Sequence, residues 1–298
     1  MLNTVEEYLA ALRTELAGSD KATVQDAAAD AEDHLRTAIT NLQENETELG
    51  ESEALRLAIE QYGTPAETAA AYIEVERRTS PGLTRAPERR HRSILGRFFG
   101  IYADPRAWGA LLYMLISLVT GIIYFTWGTM GISISVSFSL FIFGLPLAIF
   151  FLFSLRGFAL LEGRIVEALL GVRMPRRPLF SPRKMKWFER LKMQLLDRHT
   201  WQVIIYLLLQ LPLGVLYFCL TVIVFTFALS GIAIPILQGV FNLPVANING
   251  VFYYVQSQAY PLLILLGFLL WTIYMHLAKF IGKLHGRYAK TMLVSDIE

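Results

Sequence analysis

The sequence predicts an all-α protein: a small helical domain followed by a four-helix transmembrane bundle. Three observations lead there. First, residues 107–155 and 199–278 contain no Asp, Glu, Lys or Arg. An ionised side chain at the centre of a membrane costs roughly 2.5–3.5 kcal/mol even on the mildest scale, and a water-soluble domain has no reason to avoid charge over such lengths. Second, charge divides along the chain. Residues 1–78 hold 17 acidic and 6 basic side chains, whereas the remaining 220 residues hold 8 acidic and 21 basic ones. Two solvent environments are implied. Third, a shift of 93 residues lays one apolar segment on another, so the membrane part reads as an internal repeat.

The acidic head, residues 1–78, opens with Thr4-Val-Glu-Glu7, a capping box for a helix carrying Tyr8, Leu12 and Leu16 on one side. A second helix is expected over 23–42, with Val24, Ala27, Ala31, Leu35 and Leu42 as its stripe and Asp30, Glu32 and Asp33 elsewhere. Residues 41–50 read as a polar loop. A third helix covers 53–62 and ends at Gly63. Thr64-Pro65-Ala66-Glu67 then starts a fourth, carrying Ala66, Ala69, Ala70 and Ile73. Alanine buries little area, so this head is expected to be of modest stability. Its acidic surface cannot neutralise phosphates, which argues against direct nucleic acid binding. It suits a docking module, with Tyr8, Leu12, Glu32, Asp33, Tyr62 and Tyr72 as candidate partner-docking residues, or a solubilising tether.

Residues 79–98 read as a basic, irregular linker containing Pro81, Pro87, Arg89, Arg90 and Arg92. This composition suits anionic lipid headgroups. Residues 99–298 form the membrane part, with crossings expected at about 108–127, 134–155, 201–229 and 260–280. Each has about the 20 residues a helix needs to span the hydrocarbon. The N-terminus has Glu6 and Glu7 and no apolar core, unlike a signal peptide. The single cysteine, Cys219, lies inside a crossing and has no internal disulfide partner.

The repeat aligns Asp104 with Asp197, Trp108 with Trp201, Tyr113 with Tyr206, Gly121 with Gly214 and Tyr124 with Tyr217. Each Asp is expected to cap its helix, each Trp to anchor at the interface, and each Gly to permit close helix contact. In the second helix of each hairpin, Gly144-Leu-Pro146-Leu147 resembles the Tyr260-Pro261-Leu262 start, and Arg164 and Arg287 each fall in a C-terminal segment. Two hairpins in parallel repeat are the expected architecture.

Orientation follows from Lys and Arg. Residues 156–198 hold 11 basic and 4 acidic side chains, while the connections 128–133 and 230–259 hold no charge. The positive-inside rule puts both termini and the central loop in the cytoplasm of a multi-pass inner or plasma membrane protein. The acidic head and these basic surfaces then share one side, where salt would weaken any contact between them. Residues 157–171 and 184–197 alternate apolar and charged faces and are expected as interfacial helices, or as continuations of the neighbouring crossings. Residues 230–259 are too apolar for a free linker. A short helix is expected over 232–241, and Phe252-Tyr253-Tyr254 suits an aromatic belt or a lid.

No catalytic, cofactor-binding or metal-binding motif stands out. The five histidines have no ligand spacing, paired membrane carboxylates are absent, and no Walker or dinucleotide fingerprint occurs. The expectation is a non-enzymatic protein without a cofactor.

Two resemblances extend this reading. Residues 4–75 resemble the small cytoplasmic helical signalling domain encoded beside PadR-like transcription regulators. The likeness rests on Tyr8, Leu12 and Leu16, on Asp30-Ala-Glu32-Asp33-His34-Leu35, and on Tyr62-Gly63-Thr64-Pro65 with Ala69 and Tyr72. Residues 92–292 resemble the sensor domain of actinobacterial membrane proteins and histidine kinases. That likeness rests on Asp104, Trp108, Tyr113, Gly121, Tyr124 and Phe125, on Gly144-Leu-Pro146-Leu, on residues 169–175, and on Trp201, Tyr206, Gly214 and Tyr217. Together they imply envelope sensing or regulation. Because no kinase domain follows, output is expected through a separate cytoplasmic regulator or membrane complex. A transporter, transporter accessory subunit or lipid-handling protein is the alternative, and an oligomeric scaffold, a homo-oligomer, the third.

Overall fold

A computed structural model describes residues 2–45, 50–79, 93–138, 144–177 and 196–294. Helices dominate it. The N-terminal part contains α1 (Val5–Glu15), α2 (Lys21–Asn45), α3 (Glu51–Tyr62) and α4 (Pro65–Thr79). Thr4 caps α1, its Oγ1 accepting the Glu7 N–H at 3.1 Å. The second expected capping box also forms: Glu67 Oε2 accepts the Thr64 N–H at 2.9 Å while Thr64 Oγ1 takes the Glu67 N–H at 3.4 Å. These four helices share one core built from Tyr8, Leu12, Leu16, Leu35, Leu55 and small alanines. The expected loop over 41–50 begins later than its composition suggests, because α2 runs to Asn45. Most of the expected linker lies outside the described residues.

A short helix α5 (Ile94–Phe99) and a 3-10 turn lead into α6 (Pro105–Phe138). Then come α7 (Gly144–Leu170), α8 (Arg198–Phe241) and α9 (Tyr260–Leu293). Among the described residues, three stretches are long and apolar enough to cross a membrane: Pro105–Ser135, Arg198–Phe241 and Ser257–Leu293. Their outward side chains are apolar, including Ile122, Ile123, Leu216, Ile223, Phe227, Leu265 and Phe268. A patch of that kind facing water would drive association.

Several boundaries differ from those expected. The connection 128–133 is helical, lying inside α6. Gly128, Gly131 and the β-branched residues there lower helix propensity, but in a helix already nucleated each added residue gains a hydrogen bond. The expected second crossing, 134–155, is divided between the end of α6, residues outside the described set, and the start of α7. The charge-free part of α7 is only 144–155, about 18 Å of helix, too short to span alone. The interfacial helix expected over 157–171 is the continuation of α7. That expected over 184–197 lies mostly outside the described residues. The short helix expected over 232–241 is continuous with α8, despite Pro212 and Pro235.

One departure from the expected all-α structure has a local cause in the sequence. Ala246–Ile248 and Val251–Tyr253 pair as an antiparallel hairpin across Asn249-Gly250. Both turn residues have positive φ, 53° and 83°. Asn-Gly flanked by β-branched residues is the strongest short-range hairpin signal, since a tight hairpin turn needs φ above zero at both positions.

The chain divides into two compact units. One comprises Met1–Ala86, Gly128–Tyr206 and Gly286–Glu298, and the other Pro87–Trp127 and Leu207–His285. α6, α8 and α9 each have residues in both units, and α7 lies in the first.

Candidate functional site

In the first unit, α7 ends at Leu170 and Gly171, with φ of 68°, turns the chain into a segment without secondary structure, Val172–Arg177. This segment meets the acidic face of α2 and α4. The Arg173 guanidinium donates through Nη2 to Asp26 Oδ2 at 2.8 Å and through Nε to both oxygens of Glu76, at 2.9 and 3.1 Å. Glu167 on α7 lies 3.6 Å from its Nη1. Asp26 Oδ1 accepts two consecutive backbone N–H groups, from Arg176 at 2.7 Å and Arg177 at 2.9 Å. Arg176 also donates to Glu167 Oε1 at 3.0 Å, and Arg177 pairs with Asp30. Met174 is fully buried beside them.

Four carboxylates (Asp26, Asp30, Glu76, Glu167) thus face four guanidinium groups (Arg164, Arg173, Arg176, Arg177). The Arg173 and Asp26 side chains are only 9% and 6% exposed. Burial works against the Arg173 charge, but its hydrogen bonds to Asp26 and Glu76 and their negative charge together outweigh it and raise its pKa. The receptor side is itself braced: Tyr72 donates to Asp30 Oδ2 at 2.5 Å, and Tyr62 approaches the same oxygen at 3.5 Å. Burial, then the Asp30 carboxylate, pushes both phenols well above the usual tyrosine value, so they stay protonated donors. Farther along, Lys290 at the end of α9 pairs with Asp20.

Not every candidate docking residue lies on this face. Tyr8 and Leu12 are interior, the Tyr8 hydroxyl donating to Gly63 O at 2.9 Å. Glu32 is held by Arg36 at 3.0 Å, and Asp33 is exposed. Tyr62 and Tyr72 reach the face through Asp30.

In the second unit, the repeat residues are organised by the α6–α8 crossing. A Cβ on Gly121 would lie 2.7 Å from Gln210 O and 2.8 Å from Leu211 Cα. One on Gly214 would lie 2.3 Å from Ser117 O and 2.9 Å from Leu118 N. The offset that relates Gly121 to Gly214 also relates Ser117 to Gln210 and Leu118 to Leu211. The contact is therefore reciprocal, as at an interface between two like surfaces. Asp104 and Asp197 cap α6 and α8 alike, each accepting the N–H two residues on, from Arg106 and His199, both at 3.0 Å. Trp108 and Trp201 are half-exposed, and Tyr124 is buried.

The paired tyrosines make equivalent bonds to different groups. In the second unit, the buried Tyr113 hydroxyl lies 2.6 Å from His285 Nε2 and accepts from Gln210 Nε2 at 2.9 Å. Tyr217 lies 3.1 Å from His285 Nδ1. With the amide donating to Tyr113, the Tyr113 proton is free for Nε2, and the Nδ1 proton can go to Tyr217. In the first unit, the buried Tyr206 hydroxyl donates to Glu162 Oε1 at 3.0 Å. The paired Tyr113 and Tyr206 thus each meet a buried titratable side chain, His285 on α9 and Glu162 on α7. Replacing Tyr113 with Phe strips a hydroxyl shared by two buried polar groups and should cost about 1–3 kcal/mol. Replacing the exposed Tyr253 with Phe should cost little. Thermal unfolding in detergent compares the two.

No sequence motif singles out Glu162, Glu167, Gln210 or His285, and the tyrosine partners of Glu162, Gln210 and His285 lie on other helices. The crossing expected at 260–280 continues as α9 to Leu293. Arg173, Arg176 and Arg177 carried a usable signal, since they are the basic partner that the charge division between head and remainder calls for. A cavity of about 50 Å³ in the first unit, lined by Leu152, Arg156, Leu160, His199 and Val203, has room for a few waters. That is far below the size of a lipid or drug-like ligand site.

No curated protein and no solved structure matches this chain. A family model described as "Putative sensor" matches residues 113–293, more than half of its length. The match takes in the Gly121–Gly214 crossing, both tyrosine centres and the arginine segment, and leaves the N-terminal helices unassigned. The chain therefore belongs to the Sensor family.

Proposed function

We propose that this protein is a non-enzymatic membrane sensor or regulator that passes a membrane or envelope signal to a cytoplasmic or membrane partner through its acidic head. In this reading the chain crosses the bilayer four times as two repeated hairpins, the second crossing drawing on the charge-free residues before α7 as well as on its start, with both termini and the basic central segment in the cytoplasm. The reciprocal Gly121–Gly214 contact supports the repeat, and the Lys and Arg distribution supports the orientation.

The observation that carries the reading is Arg173. It lies within the family-matched region, and carboxylates from α2, α4 and α7 enclose it. Three charged groups from two parts of the chain converge on one guanidinium, so displacement of the segment after α7 must change the environment of the head. The likeness of the head to a signalling domain agrees with output at that end. Affinity capture from native membranes, with and without residues 1–78, tests this. The reading expects specific partners to be lost with the head, and an identical partner set would overturn it.

A further inference from the structure

We propose that the Asp26–Asp30–Glu76 face of the head is a binding site for an arginine-bearing turn of a protein partner, and that residues 173–177 occupy it as an internal competitor. This deepens the functional reading above and rests on it.

The two sides of the contact are unlike each other. On one side stands a surface fixed by folded helices. Asp26 is buried on α2, Glu76 projects from α4, and Asp30 is braced by Tyr72. On the other side lies a short segment without secondary structure. It offers two consecutive backbone N–H groups to one carboxylate oxygen, guanidinium groups at Arg173 and Arg177, and a buried Met174-Pro175 between them. A rigid receptor reading a short extended peptide is a common recognition mode, and arginine is its favoured charged residue because the planar fork matches a carboxylate. Every contact the segment makes with this face could be made by an arginine-bearing turn of another protein.

Tethering explains why the internal copy holds the face. A segment linked to its site by folded chain acts at an effective concentration in the millimolar range, so a free peptide with the same contacts loses to it. The partner gains access when the segment withdraws. Gly171 joins the segment directly to the end of α7, so movement of α7 is the natural release. By linkage, a partner that binds the face must favour the released position to the same degree.

The test uses the full chain in lipid nanodiscs and a fluorescein-labelled synthetic peptide with the sequence of residues 171–177. Peptide binding is read by anisotropy against wild type, R173A/R176A/R177A, and the milder R177A, whose side chain is 53% exposed. The triple variant should bind at least about tenfold more tightly than wild type, with R177A between them. Adding Asp26→Asn should abolish the gain. Equal affinity for wild type and R177A, or a gain that survives Asp26→Asn, overturns the proposal. So does conversion of the released variants to a dimer that takes no peptide, which would assign the face to a second copy. A negative peptide result with head-dependent partners in native membranes sinks this inference alone. Head-independent partners sink the functional reading whatever the peptide does.

Discussion

Replacing Arg173 with Met is expected to detach the acidic head from the segment after α7 and to cost about 3–5 kcal/mol, the usual penalty for removing one member of a buried ion pair. The size follows from what remains. Asp26, Glu76 and Glu167 would face one another with their shared counter-charge gone, and Asp26 and Glu167 are nearly inaccessible to water. Replacing Arg177 with Met is the matched comparison. Its pair with Asp30 is half-exposed, and such pairs contribute about 0–1 kcal/mol. Thermal unfolding of both variants in the same detergent separates the two cases. Equal, small shifts would mean that the Arg173 cluster does not hold the head.

Replacing Gly214 with Leu should disrupt the α6–α8 crossing. The new Cβ would stand 2.3 Å from the Ser117 carbonyl oxygen and 2.7 Å from its carbon. Both are backbone atoms, so no side chain can rotate aside and the helices must part. Overpacking of this kind costs about 1–3 kcal/mol, and a leucine needs more room than a methyl. Gly157 on α7 is the control. Nothing lies within 4 Å of a Cβ there, and alanine in a helix interior gains about 0.5–1 kcal/mol over glycine. Melting in detergent should therefore fall for Gly214→Leu and hold or rise for Gly157→Ala. A Gly214→Leu protein that melts like wild type would show that the two helices do not approach as closely as described.

Much of this was legible in the sequence where the cause is local. Thr4, Thr64 and Glu67 announce their helix starts because capping is decided within four residues. Asp104 and Asp197 do so for the same reason. The Gly121–Gly214 contact was legible because the repeat placed two glycines in register. Helix ends were not, since α6, α8 and α9 run beyond the charge-free windows that suggested them. Hydropathy reports where hydrocarbon can lie, not where hydrogen bonding stops. Arg173 shows the other limit. Its partners Asp26 and Glu76 are each roughly a hundred residues or more away. Charge asymmetry placed the head and the basic surfaces on one side, where contact could form, but only the fold selects which carboxylates enclose which arginine. His285 and Glu162 were hidden for the same reason, their tyrosine partners lying on other helices.

The engagement of the head by the arginine segment is tested most directly by hydrogen exchange on the full chain in nanodiscs, read on the peptide spanning residues 171–177. The Arg176 and Arg177 amides bond to Asp26, so they should exchange many-fold more slowly than in the same sequence free in solution. Asp26→Asn should remove that protection while leaving the α6 amides unchanged. Exchange at the rate of the free peptide in the wild-type protein would contradict the account.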